Sequence, residues 1–97
     1  MASLDQILMA KRQEILALAE KRGARNVRIF GSVARGEAQV DSDIDFLVDL
    51  EPGRSVLDLG GLLMDLRSLL GREVDLVTEA GLRSRLRPVI LAEARPL

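Results

Sequence analysis

The stretch that decides the fold runs Gly31-Ser32-Val33-Ala34-Arg35-Gly36 and, after a short polar segment, Ser42-Asp43-Ile44-Asp45-Phe46-Leu47-Val48. From Asp43 to Leu50 the chain alternates. Ile44, Phe46, Val48 and Leu50 point one way, and Asp43, Asp45, Leu47 and Asp49 the other. A period of two with one apolar side is the signature of a strand laid on a core. Upstream, Asn26 to Phe30 reads as another short strand that runs straight into Gly31-Ser32. Val33 to Arg35 predicts a single helical turn stopped by Gly36.

Outward from this centre the pattern turns helical. Leu4, Ile7, Leu8, Ile15, Leu18 and Ala19 recur at helical spacing, which predicts a helix from Ser3, its cap, to Arg22, closed by Gly23. Beyond the turn Glu51-Pro52-Gly53, Ser55 is placed to cap a helix over Val56 to Leu70, with Gly71 as its stop. Apolar residues occupy more than one face of it, and Gly60-Gly61 weakens its middle by roughly 1 kcal/mol per glycine. Glu73 to Thr78 predicts a third strand, and Leu82 to Ala94 a last helix that Pro88 could divide. Helix and strand alternate throughout. The expected class is α/β (α+β), one domain over residues 1–97, a small mixed sheet with helices packed on it.

Composition narrows the chemistry. There is no histidine and no cysteine among the 97 residues, so thiolate sites, ordinary zinc sites and histidine shuttles are excluded, and any metal must be held by oxygen. Two Phe are the only aromatic residues, and 14 basic residues are interspersed with 15 acidic ones. A single-strand nucleic-acid groove wants stacking rings and clustered positive charge, so a nucleic-acid partner is not expected. No apolar run reaches membrane-spanning length and no signal-peptide pattern opens the chain, so a membrane role is not expected and the cytoplasm is the expected location.

Two places carry chemistry. A strand that enters a helical turn through Gly31-Ser32 presents backbone N–H groups without partners, lets a phosphate approach at Gly31, and adds a hydroxyl at Ser32. Arg35 lies on the same side and could reach either phosphates or a carboxylate. The same Gly-Ser is also how an ordinary helix starts. Asp43 and Asp45 share a face, and two acids there repel unless a cation lies between them. Magnesium suits such a pair. A solvated edge strand or a capped turn accounts for them as well. Asp75, inside the apolar run Glu73-Val74-Asp75-Leu76-Val77, can face the pair if the two strands are neighbours, and Glu73 has the same parity.

Gly31-Ser32, ten intervening residues, then Asp43-Ile44-Asp45 resembles the signature of the nucleotidyltransferase (DNA polymerase β-like) superfamily. Four fixed positions would arise by chance in roughly one in a thousand chains of this length. Within it the chain is similar to the minimal nucleotidyltransferases, over nearly its whole length. The resemblance implies that Gly31 and Ser32 hold a triphosphate, with Arg35 and Ser42 counted among the nucleotide-binding residues. It implies Asp43, Asp45 and Asp75 as catalytic residues that ligate magnesium, as two ions, with ATP as nucleotide donor. It further implies an antitoxin that adenylylates a tyrosine of a HEPN-domain toxin in a hetero-oligomer. A non-catalytic masking antitoxin, and transfer to a small-molecule hydroxyl, are the alternatives. Val56 to Leu70 and Leu82 to Leu97 are the segments to suspect of partner contact, although both could be ordinary core.

Overall fold

A computed structural model describes residues 3–39 and 41–97; Val40, in the polar loop, lies outside them. Helix α1 (Leu4–Lys21) begins where Ser3 and Gln6 cap each other: Ser3 Oγ accepts from the Gln6 N–H at 3.1 Å, and Gln6 Oε1 accepts from the Ser3 N–H at 2.9 Å. Strand β1 (Ala24–Phe30) leads into α2 (Gly31–Ala34), and β2 (Ile44–Leu50) follows. Helix α3 (Val56–Leu70) has the expected ends, with Ser55 and Asp58 forming the second reciprocal cap and Gly71 closing it in a left-handed conformation. Strand β3 (Val74–Thr78), α4 (Arg87–Glu93) and the two-residue β4 (Arg95–Pro96) complete the described chain.

The four strands lie in the order β3-β2-β1-β4. β2 runs antiparallel to β1 and parallel to β3, so the sheet is mixed. Helices α1 and α3 pack together over one face. Leu4, Leu8, Ile15 and Ala19 meet Leu62 and Leu66 there, above Ile29, Ile44, Phe46, Val48 and Val74. This aliphatic cluster is the hydrophobic centre that fixes which side of each strand faces outward. Gly61 lets another element come close. A Cβ there would press into the Arg22 guanidinium, which passes over α3 to pair with Asp65 at 3.1 Å.

The bounds of two expected elements need correction, and the alternation along β2 holds. The last helix is short: residues 82–86 lie ahead of it, 84–86 as a turn, and Pro88 falls in the first turn of α4, where a missing N–H costs nothing, so it starts the helix rather than dividing it. Leu47 does point away from the core as the alternation requires, yet it is fully buried. Its register neighbours there are Arg28 and Val77, and Arg28 is linked through Glu79 to Arg87 at the start of α4. The first strand begins at Ala24 and holds an irregularity. Register slips by one residue between Arg25 and Arg28, with Asn26 at φ 53°.

Candidate active site

The second face of the sheet gathers the acids. In the parallel register of β2 and β3, Asp45 stands opposite Asp75, and on the other side Asp45 pairs with Phe30, the last residue before Gly31. Lateral pairing across three adjacent strands therefore brings one carboxylate from each of β2 and β3 to the mouth of the Gly31 turn. Gly31 has φ +74° and is buried, and a Cβ on it would collide with Asp45 Oδ2. Only glycine accepts both conditions.

Asp45 is half-buried, and its pKa is pushed up from 3.8 to about 6. Burial is the largest cause, followed by the charge of Asp75 and a hydrogen bond with it, then the charges of Asp43 and Glu93. Below about pH 6 Asp45 thus holds a proton where two bare carboxylates would repel. Asp43 stands just ahead of β2, exposed to solvent. Among the described residues no three acidic side chains are gathered tightly enough to enclose an ion. The donor set nevertheless fits a hard divalent cation: it is all oxygen, it is crowded with negative charge, and a cation would replace the proton on Asp45. Glu73 takes no part. It lies outside β3 and pairs with Arg67 at 3.5 Å.

The remaining expected residues are placed as follows. Ser32 lies in α2, half-buried, beside Gly31. Ser42 Oγ accepts from the Gln39 N–H at 2.8 Å and so closes the turn that leads into β2. Of the two routes open to Arg35, the structure takes the carboxylate one. Its guanidinium is bound by Glu37 at 2.6 Å and Glu93 at 2.9 Å, and these two hydrogen bonds raise its pKa above the usual value. A cleft of about 440 Å³ opens beside the acids, lined by Phe30, Asp45, Asp75, Val77, Leu86 and Ile90 among others.

Two features were missed by sequence reasoning. Glu93, at the end of α4, accepts the Gly31 N–H at 3.0 Å as well as holding Arg35. Arg28, nearly buried, bridges Asp49 at 2.9 Å and Glu79 at 3.0 Å, and Glu79 in turn holds Arg87 at 3.0 Å at the start of α4. No local pattern announces either, because Glu93 lies 62 positions from Gly31, and Arg28 lies 21 and 51 positions from its two acids. The one available signal was Arg28 itself, a cation at mid-strand that needed acidic neighbours.

A strand-borne pair of acids beside a glycine-serine turn is the arrangement of a nucleotide-transferring enzyme, and the chain belongs to the nucleotidyltransferase domain family, which residues 12–97 match. It is 42% identical over 90 residues to the protein adenylyltransferase MntA of Thermococcus cleftensis, covering 93% of this chain and 88% of that one. Among solved structures it resembles a candidate minimal nucleotidyltransferase, with 53% identity, a TM-score of 0.83, and coverage of 93% of this chain and 92% of that chain. A toxin–antitoxin crystallised with AMP-PNP has the same fold at 23% identity and TM-score 0.74, over 87% of this chain and 69% of that chain. No described helix is long and apolar enough to cross a membrane.

Proposed function

We propose that the chain transfers an adenylyl group from magnesium-bound ATP to a hydroxyl, most simply a tyrosine, of a HEPN-type toxin, and thereby acts as its antitoxin. The observation that carries this is the Asp45–Asp75 pair set against Gly31. The kinship with a protein adenylyltransferase supports the donor and the type of acceptor, and the likeness in fold to a toxin–antitoxin supports the kind of partner.

Asp43, Asp45 and Asp75 would hold magnesium, which when bound neutralises phosphate charge and makes the α-phosphorus more electrophilic. The Gly31 N–H and the Ser32 hydroxyl hold the β- and γ-phosphates. Asp75, on the exposed side of the pair, takes the proton of the attacking hydroxyl. The acceptor oxygen bonds to the α-phosphorus as the bond to the β-phosphate oxygen breaks, and pyrophosphate leaves. The test is to mix the folded chain, magnesium, α-labelled ATP and the toxin encoded beside it. Label on the toxin is expected, and its loss in Asp43→Ala and Asp45→Ala. Absence of label with wild type sinks the reading. Neutralisation that survives Asp43→Asn/Asp45→Asn would instead favour masking.

A further inference from the structure

The seat assigned to phosphate in the preceding reading is already taken by a side chain of this chain. Glu93 places one carboxylate oxygen on the Gly31 N–H at 3.0 Å and the other on Arg35 Nη1 at 2.9 Å. Two oxygens of one anion thus satisfy one buried backbone donor and one guanidinium, as two oxygens of a phosphate group do. The position is not an easy one for an acid. Glu93 is near enough to Asp45 for its charge to be felt there, so it stays only because Gly31 and Arg35 reward a negative group at that point. The element that carries it is weakly held in between its ends. Helix α4 has no buried residue and no side-chain cap at its start. It is fastened by Arg87 to Glu79 at one end and by the pairing of β4 with β1 at the other.

We infer that Glu93 is a resident anion that an incoming triphosphate must displace, and that it sets the affinity of the site by competing for the Gly31 N–H and Arg35. The inference rests on the nucleotide reading of the site. Displacement needs only rotation of the Glu93 side chain out of the seat, after which both donors turn to phosphate oxygens. The role is one of positioning: Glu93 acts through Gly31 and Arg35 and touches no reacting atom. The observed affinity then equals the intrinsic one multiplied by the fraction of molecules in which the seat is free.

The test uses the full chain and its Glu93→Gln and Glu93→Ala variants, titrated separately with magnesium-ATP and with tripolyphosphate. Calorimetry gives Kd, the Gly31 amide resonance reports the seat, and thermal unfolding is measured alongside. Both variants should bind more tightly, by roughly ten-fold for a seat that is free about one-tenth of the time. Both should also unfold at lower temperature, because the tie between α4 and α2 is gone. That opposition is the diagnostic readout, since a merely structural contact would lower stability and affinity together. Equal or weaker binding by both variants, with wild type binding measurably, overturns the role of Glu93 and leaves the nucleotide site standing. If neither wild type nor variants bind ATP or tripolyphosphate, the inference and the nucleotide reading fall together.

Discussion

Gly31 lies against the Asp45 carboxylate, its backbone at φ +74° and its Cα facing Oδ2 with no room for a methyl group. Gly31→Ala therefore meets two penalties at once, a left-handed backbone of about 1–2 kcal/mol and a collision with the acid. Loss of at least about 2 kcal/mol in denaturant unfolding is expected, and transfer falls on the order of a hundred-fold as Asp45 is displaced. Gly36→Ala is the control. Its φ is +73° but its Cβ would meet open space, so only the backbone penalty of about 1 kcal/mol should appear, with transfer little changed.

The raised pKa of Asp45 predicts how stability varies with pH in magnesium-free protein. Its folded pKa, about 6, is above the ordinary 3.8, so between these values the folded chain holds more protons than the unfolded one. Stability contributed by this group is fully present below about pH 4 and is lost as pH rises through about 6. After discounting for solvent screening of a half-buried group the loss is on the order of 1 kcal/mol. Asp45→Asn should flatten that decline. Asp75→Asn should lower the pKa of Asp45 without restoring the ordinary value, because burial, the larger cause, remains. Carboxyl NMR titration reads both, and an unmoved Asp45 in Asp75→Asn would show that the two acids are not coupled.

Arg28 should matter for folding more than its place outside the acid pair implies. It is the only cation reaching both Asp49 and Glu79 among the described ion pairs, and its side chain is 11% exposed. Arg28→Met keeps the aliphatic bulk but leaves Asp49 without a cation and Glu79 with Arg87 alone, at an expected cost of about 1–3 kcal/mol in chemical denaturation. The added variant Asp49→Asn/Arg28→Met should recover part of it, since the charge left without a cation is gone. A double variant no more stable than Arg28→Met would contradict this.

The start of α3 presents Val56 and Leu57 to solvent, at 78% and 83% exposure. Leu57→Gln is expected to change unfolding free energy by no more than about 0.5 kcal/mol, whereas Leu66→Ala, one helical face away in the core, should cost about 2–5 kcal/mol. Equal losses for the two would mean that α3 is turned differently on the sheet.

The elements legible in the sequence were those whose instructions are local. Ser3 with Gln6, and Ser55 with Asp58 and Gly71, specify helix ends within four residues of themselves, and the helices end where these residues stand. The alternation from Ile44 to Leu50 specifies a strand, and Asp45 lands beside Asp75 as neighbouring strands required. Illegible features depend on distant partners. Arg95–Pro96 becomes a strand only because β1 lies beside it. Leu47 is buried because other elements cover its side of the sheet. Glu93 is tied to Gly31 by a fold that brings positions 62 apart into contact.

The slip at Asn26 has a consequence for how this protein can change over time. Before the slip Ala24 faces the helices, and after it Ile29 does, although an odd number of steps separates them. Asn26 and Val27 together stand opposite Val48 alone, so deleting one of them would leave an even number of steps between Ala24 and Ile29, and a regular ladder would keep both facing the helices. A deletion elsewhere in β1 with the slip retained would instead turn residues on one side of it to the opposite face. The slip is therefore the place where evolution can shorten β1 by one residue and leave its two faces as they are.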